Sequence, residues 1–275
     1  MNLNILTKGY ERNNIGMSIF NTPDFKSIYR VFFMNYVRSL IFNSFFWLGT
    51  ALWILCVLIP VSLLKSPALM RRCLVIWFRL VFFLLDKISD IKVEERGIEN
   101  LPTDKGFILC CKHMSNLDAL LIYSRLPNLT ALAKIELFSV FGIKQVLTKM
   151  AVIPIDRGKG KAKNKTSEIA DILIEQKIPL LLFVEGTRIP AGQRKPLKTG
   201  VYYIQEDRDL PVICASTNTG IHWVKGSPFN KPGTIVMEYH PAIEQGLDKE
   251  SFMAKVTENV VIHSEKLMGI EGPKI

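Results

Sequence analysis

The sequence predicts an α/β domain with a mostly parallel sheet flanked by helices, preceded by a membrane-embedded two-helix element. From about Ile91 onward, short apolar runs alternate with helical patterns, which is typical of a parallel sheet covered by helices. Before that point, residues 39–64 contain no charged residue in 26 positions. We therefore divide the chain into an N-terminal membrane-associating region, 1–90, and an α/β domain, 91–275.

The composition favours lipid over nucleic acid as a partner. The formal net charge is +10 and 48% of the residues are hydrophobic. A basic chain is suited to nucleic acid, anionic lipid or an acidic ligand. The sequence shows no zinc-finger spacing, no RNA-binding aromatic signature and no basic helix of the major-groove kind. We therefore expect membrane lipids, and no nucleic acid, among its partners.

Cysteines and histidines indicate neither a disulfide framework nor a metal site. The five cysteines, an odd number, lie in apolar surroundings and no pair has metal-ligand spacing. We expect them to be reduced thiols that pack in the core, in a protein exposed to the redox conditions of the cytoplasm. The four histidines are scattered along the chain. We expect no metal and no cofactor.

The apolar run at 39–64 is long enough to cross a bilayer, since a transmembrane helix needs about 20 apolar residues. It begins too late and is too long for a cleaved signal peptide. A second run, 73–85, is shorter and carries Arg79, so we expect a helix lying in the membrane interface. Pro60 and Pro67 are expected to interrupt the link between the two helices.

Basic residues flank the long run on both sides, and flanks rich in Lys and Arg are normally cytoplasmic. They are Lys26, Arg30 and Arg38 before it, and Lys65, Arg71, Arg72 and Arg79 after it. We therefore expect a two-helix element that dips into one leaflet from the cytoplasmic face of the (inner) membrane. A single span is the alternative, and labelling the N-terminus from either side would separate the two.

The α/β region resolves into short segments. Predicted strands cover 107–111, 130–133, 151–155, 179–184, 210–215 and 234–239. Predicted helices cover 117–126, part of 135–150, 165–176, 199–206 and 249–268. In such a sheet the chemistry collects in the loops beyond the carboxyl ends of the strands.

The first of these loops carries His113 and, five residues later, Asp118. An imidazole and a carboxylate placed across a strand-to-helix turn can hydrogen-bond, and such a pair can take a proton from a hydroxyl. The spacing alone is weak evidence, because a helix N-terminus with a polar histidine nearby gives the same pattern.

Three cations follow other predicted strands: Lys134, Arg157 and Arg188. If the strands are parallel, these side chains lie at the same crevice as His113 and form an anion site, and arginine suits bidentate phosphate recognition. Gly158 and Gly186 would let the backbone approach a ligand closely.

Each of these cations also has a simpler interpretation. Glu185 with Arg188 is compatible with a surface ion pair, and Asp156 with Arg157 with the plain end of a strand. Lys134 is compatible with pairing to Glu136 or with solvation. The lysine-rich run at 159–165 suits a solvated loop, an acidic acyl donor or anionic headgroups.

Together these stretches resemble the membrane glycerolipid acyltransferase family, which is marked by an H-x-x-x-x-D block and four further blocks in fixed order. Here they read His113 to Asp118, Ala133 to Leu137, Ile155 to Arg157, Glu185 to Arg188, and Leu210-Pro211. The resemblance covers roughly 97–243. The family often has Ser after its E-G-T-R block, where this chain has Ile189.

The resemblance implies transfer of an acyl group from acyl carrier protein or coenzyme A to the sn-2 hydroxyl of lysophosphatidic acid, giving phosphatidic acid. It implies catalytic roles for His113 and Asp118, and substrate binding by Lys134, Arg157, Glu185, Gly186, Thr187 and Arg188. Neither a G-x-S-x-G nor a Walker motif is present, so no nucleophilic serine is expected. Leu137 and its neighbours to 141 are candidates for the acyl channel, or for plain core.

Three alternatives remain open at this stage. The acceptor could be another lyso-lipid, such as a lyso-ornithine lipid or another lysophospholipid. The pair could act on water, as in a hydrolase. A non-catalytic lipid-binding protein on this fold would be expected to lack an intact His–Asp pair, and here the pair is intact.

Overall fold

The structure is a computed structural model that describes residues 25–140, 143–155, 162–206, 208–224 and 226–270. Its α-helices are α1 (Phe25–Trp53), α2 (Ile59–Leu63), α3 (Pro67–Ser89), α4 (Leu117–Arg125), α5 (Ile143–Lys149), α6 (Ala162–Gln176), α7 (Gly200–Glu206), α8 (Thr219–His222), α9 (Lys249–Thr257) and α10 (His263–Leu267). Five-residue π-helical turns join α1 to α2 (Ile54–Leu58) and α9 to α10 (Glu258–Ile262). Short 3₁₀ segments occur at Ile98–Asn100 and Ile135–Ser139.

A seven-stranded sheet forms the centre of the α/β domain. Its strands are β1 (Ile91–Arg96), β2 (Phe107–Cys111), β3 (Thr130–Lys134), β4 (Ile153–Ile155), β5 (Pro179–Phe183), β6 (Val212–Thr217) and β7 (Gly233–Tyr239), in the order β1-β7-β6-β2-β5-β3-β4. The β6–β7 pair is antiparallel and all other neighbours are parallel. The predicted mostly parallel sheet is therefore confirmed.

Side chains that alternate along the strands build a core on each face of the sheet. In β2, Phe107, Leu109 and Cys111 join the core that contains α3 and α4 residues. Ile108 and Cys110 join the opposite core, with α6, α7 and α9. Because β2 is covered on both faces, its sequence is an unbroken run of apolar residues. The thiol of Cys111 is buried, and burial raises its pKa, which makes it a packing group at neutral pH.

The N-terminal helices are longer than the sequence indicated. α3 begins at Pro67, where Ser66 Oγ accepts the Leu69 N–H at 3.2 Å, and so it includes much more than 73–85. Pro60 was expected in the link between the two helices, but it lies in the first turn of α2, directly after a π-helical turn. The first turn of a helix tolerates a missing backbone N–H, so the helical run continues to Leu63.

Within the compact unit Asn35–Ile275, α1 packs against the α/β domain. The rings of Phe42 and Phe46 in α1 meet Trp223 edge to face, with centroids 5.3 and 4.8 Å apart. The helical segment Tyr29–Leu63 is long and apolar enough to cross a membrane, a test that core helices and signal sequences also pass. Only 17% of its most apolar window is buried, so little of that apolar surface is packed in the protein.

Candidate active site

The carboxyl ends of β2, β5 and β6 bring together the chemical groups of interest. β2 ends at Cys111, and the next residues, Lys112 and His113, lead into the turn before α4. His113 Nδ1 lies 2.9 Å from Oδ2 of Asp118, which belongs to the first turn of α4. The predicted contact between imidazole and carboxylate is therefore present.

Asp118 is fully buried and fixed from several sides. Its Oδ2 accepts the backbone N–H groups of Met114 at 2.7 Å and Ser115 at 2.8 Å. Its Oδ1 accepts the hydroxyl of Thr219, which lies at the start of α8 after β6. These donors replace the hydration that the carboxylate loses on burial.

The imidazole of His113 is held against a neighbouring ring. It stacks on Phe183, at the end of β5, with ring centroids 3.8 Å apart and planes 15° apart. The His113 side chain remains 19% exposed. Since Nδ1 is bonded to Asp118, Nε2 is the nitrogen left to exchange a proton with a ligand.

Glu185 joins the loops after β2 and β5. Its buried carboxylate forms an ion pair with the buried Lys112, with Nζ 3.0 Å from Oε1. Its Oε2 accepts the backbone N–H of His113 at 3.1 Å, and the His113 carbonyl accepts the Ile189 N–H at 2.7 Å. The simpler interpretation supposed a surface ion pair with Arg188, but Glu185 is buried and pairs with Lys112. It fixes the backbone that carries His113.

A cavity of about 850 Å³ opens at this edge of the sheet. His113, Arg188, Lys195 and Lys198 line its polar part, and side chains such as Leu132 line its apolar part. Arg188 also donates to Oδ1 of Asn116, just before α4. An imidazole and three basic residues thus border one space, and that arrangement suits an anionic ligand with a reacting group near His113.

Of the other predicted binding residues, Glu185, Gly186 and Thr187 also line this cavity. Gly186 and Thr187 are exposed and follow β5, and Gly186 has φ +71°, a conformation that favours glycine. Lys134 ends β3 with an exposed side chain, and it is not among the cavity-lining residues of the described part of the chain. Arg157 lies outside the described residues.

The Leu210-Pro211 block is not at the site. It precedes β6, where the Pro211 carbonyl accepts the Ile108 N–H at 2.9 Å. Because β2 and β6 run parallel, this contact lies at the end of the sheet opposite His113. Its role in the structure is to align two strands.

Sequence reasoning missed several residues of the site: Lys112, Asn116, Phe183, Lys195, Lys198 and Thr219. One of them had a recognisable signal, since Lys112 is a charged residue directly after a fully apolar strand. The contact between Thr219 and Asp118 joins residues 101 positions apart, and no local pattern indicates it.

Two of the scattered histidines meet elsewhere. The rings of His240 and His263 have centroids 4.7 Å apart, and His240 Nε2 lies 2.6 Å from the buried Ser216 Oγ. Burial, and then the neighbouring His263, lower the pKa of His240. Across the described ranges, no group of three or more His, Cys, Asp or Glu is arranged to hold a metal ion.

Part of the chain matches a known family model. Residues 92–217 match the family model described as Acyltransferase. This match contains both halves of the His113–Asp118 pair, Glu185 and Arg188. The resemblance predicted from the motifs is therefore confirmed over these residues.

Similar curated proteins carry one name. Over 168 residues the chain is 30% identical to the 1-acyl-sn-glycerol-3-phosphate acyltransferase of Pseudomonas aeruginosa, covering 61% of this chain and 65% of that protein. It is 26% identical over 218 residues to the alpha form of Mus musculus, covering 78% and 75%. It is 28% identical over 174 residues to the alpha form of Homo sapiens, covering 62% and 60%. The chain thus spans less than two thirds of the bacterial and human relatives.

A solved structure supports the fold. The crystal structure of the 1-acyl-sn-glycerophosphate (LPA) acyltransferase PlsC from Thermotoga maritima superposes with a TM-score of 0.66. The two chains are 23% identical, and the match covers 84% of this chain and 97% of the other. The same arrangement of sheet and helices is therefore present in both proteins.

The buried Lys112–Glu185 pair gives a test of the site's framework. Lys112→Met leaves the Glu185 carboxylate buried without its main partner, and breaking such a pair costs about 3–5 kcal/mol of unfolding free energy. The double variant Lys112→Met/Glu185→Gln no longer buries an unpaired carboxylate, so it should recover more than half of the lost unfolding free energy. Chemical unfolding in detergent measures both. Equal stability of wild type and Lys112→Met, or no recovery in the double variant, would contradict this role.

Proposed function

We propose that this chain, whose residues 92–217 match the Acyltransferase family model, transfers a fatty acyl group from acyl carrier protein or coenzyme A to the sn-2 hydroxyl of lysophosphatidic acid, giving phosphatidic acid. The observation that carries the proposal is the hydrogen bond between His113 and the buried Asp118, at a cavity bordered by basic side chains. The names of the relatives support the choice of acceptor.

Proton transfer is the chemical task of His113. Its Nε2 takes the proton of the acceptor hydroxyl as that oxygen bonds to the thioester carbonyl carbon. The carbon–sulfur bond then breaks, and the imidazolium returns the proton to the departing thiolate. Asp118 holds the tautomer and stabilises the imidazolium, as the aspartate does in a serine-protease triad. The acceptor's own hydroxyl replaces the serine, so no acyl-enzyme intermediate is needed.

The acceptor phosphate is proposed to bind at the basic part of the cavity. Arg188 offers a planar fork of donors that matches phosphate, and Lys195 and Lys198 add positive charge beside it. Glu185, Gly186 and Thr187 form the turn that presents Arg188. Lys134 and Arg157 stay predicted contributors by the family's pattern.

The acyl chain needs an apolar surface. A second cavity of about 510 Å³ adjoins the first through Ile155, which lines both. Phe138, Val152, Ile169 and Ile172 contribute apolar walls. Burying apolar surface stabilises a bound chain by about 0.8 kcal/mol per methylene. We therefore place the donor's hydrocarbon here.

The N-terminal helices are proposed to hold the enzyme at the cytoplasmic face of the (inner) membrane. Several of their large apolar side chains are exposed, including Phe45, Trp47 and Leu48 of α1 and Phe83 of α3. Exposed apolar patches of this kind mark membrane contact. Such docking would bring the cavity close to the lipid acceptor. The proposal requires no cofactor or metal, because the thioester supplies the activated acyl group.

Other outcomes are distinguished by products. A panel of lysophospholipids and lyso-ornithine lipid, each offered with acyl carrier protein and coenzyme A thioesters, identifies the acceptor and donor. Preference for a different lyso-lipid would identify that lipid, and not lysophosphatidic acid, as the acceptor. Free fatty acid release without an acceptor would identify a hydrolase, and binding without turnover a non-catalytic lipid-binding protein.

The imidazole is the first residue to test. His113→Ala should lower kcat for phosphatidic acid formation by at least about 10²-fold, since general-base catalysis supplies about 10²–10⁴. The variant should keep its thermal unfolding midpoint, because the His113 side chain is partly exposed. Product formation is followed in purified protein in detergent. Full activity in a folded His113→Ala variant would refute the base assignment.

The phosphate contact gives a separate test. Arg188→Ala should mainly raise the KM for lysophosphatidic acid, by roughly 10- to 100-fold, because charge-assisted hydrogen bonds are worth about 1.5–3 kcal/mol. Arg96→Ala is the matched control, since Arg96 lies at the end of the edge strand β1 and pairs with Glu94. A changed kcat with an unchanged acceptor KM would contradict the phosphate role.

A further inference from the structure

The segment 184–199, between β5 and α7, contains no helix or strand. It nevertheless supplies Arg188, Lys195 and Lys198 to the cavity that holds His113. A loop of this length in a compact domain is commonly functional, and its side chains are placed well only if its backbone is fixed. The contacts that fix this segment therefore bear on ligand binding.

Two backbone hydrogen bonds fix the first half and the far end of the segment. The Ile189 N–H donates to the His113 carbonyl at 2.7 Å, and the Lys198 N–H donates to the Val184 carbonyl at 2.7 Å. Between them, the ammonium of Lys112 reaches the Gln193 carbonyl at 3.4 Å. At that distance the hydrogen bond is weak, so it does not by itself fix the middle of the segment.

Arg194 and Glu265 provide that attachment. The guanidinium donates twice to the carboxylate, from Nε to Oε1 at 2.8 Å and from Nη2 to Oε2 at 2.6 Å. The Glu265 side chain is only 4% exposed, and the Arg194 hydrogen bonds lower its pKa below the usual 4.5. A fork-to-fork pair with one buried partner fixes both distance and orientation.

Helix α10, which carries Glu265, is itself attached to the site. Ser264 Oγ accepts the Thr217 N–H at 3.0 Å, at the end of β6. Two residues later, Thr219 donates to Asp118. The helix that holds Arg194 is thus connected to the same strand end that holds the catalytic carboxylate.

We infer that Arg194 and Glu265 are positioning residues of the acceptor site, and that α10 is a structural part of that site. The inference rests on the proposed function. Glu265 lies beyond the family-model match at 92–217 and beyond every motif in the sequence. Through this pair, α10 holds the segment that presents Arg188, Lys195 and Lys198 to an anionic acceptor.

The kinetic test uses Glu265→Gln and Arg194→Gln in the full-length protein, purified in detergent. Either variant should raise the KM for the anionic acceptor roughly tenfold, with smaller changes in kcat and donor KM, because small displacements of binding groups weaken ligand contacts steeply. The double variant should be no worse than either single variant, since both remove one interaction. Additive losses, or an unchanged acceptor KM, would overturn the inference.

The surface pair Arg208–Asp171 supplies the matched control. It is also an arginine–carboxylate pair, with Nε 2.8 Å from Oδ1, but both side chains are over 40% exposed. Asp171→Asn should leave the acceptor KM unchanged. An equal rise in that KM in Asp171→Asn and Glu265→Gln would show a general effect of charge removal and would overturn the positioning role.

A second readout is independent of acyl transfer. Trypsin cleavage after Lys198 should be faster in Glu265→Gln than in wild type and Asp171→Asn, because cleavage follows local opening of the segment. Equal cleavage rates would overturn the inference whatever the enzyme's substrate. Faster cleavage in a protein whose wild type transfers no acyl group would support the attachment and refute the proposed function.

Discussion

The buried carboxylate of Asp118 is the constraint on which the rest of the site depends. A charge removed from water is tolerated only with hydrogen-bond partners, and here the donors come from three places. They are the two N–H groups before α4, the hydroxyl of Thr219 after β6 and the ring of His113. The same atoms that satisfy the charge therefore set the direction of the imidazole. Folding and the proposed proton transfer therefore depend on one group.

Glu185, in the loop after β5, is a second buried carboxylate that is held by several donors. It accepts the His113 N–H and pairs with the buried Lys112, so the loops after β2 and β5 behave as one unit. These strands are adjacent in the sheet although 67 residues lie between Cys111, which ends β2, and Pro179, which begins β5. This explains how two motifs far apart in the sequence form a single cavity wall.

Local sequence patterns predicted the strands that consist of a short apolar run. They did not predict the side-chain contacts between residues far apart in the sequence. β2 and β5 were predicted well because each is a short apolar run. β1 was not predicted, because Lys92, Glu94 and Glu95 break its hydrophobic pattern. The His113–Asp118 contact was predictable because both residues lie in one turn. The roles of Thr219 and Glu265 were not, because their partners are more than 70 residues away.

The central claim is that His113 acts as a base whose tautomer and charge depend on Asp118. It is tested most directly by the kcat of Asp118→Asn for acyl transfer to lysophosphatidic acid. An amide can keep the backbone hydrogen bonds but favours the wrong imidazole tautomer, so kcat should fall by about 10⁴ with the acceptor KM little changed. A folded Asp118→Asn variant with kcat within about tenfold of wild type would contradict the account.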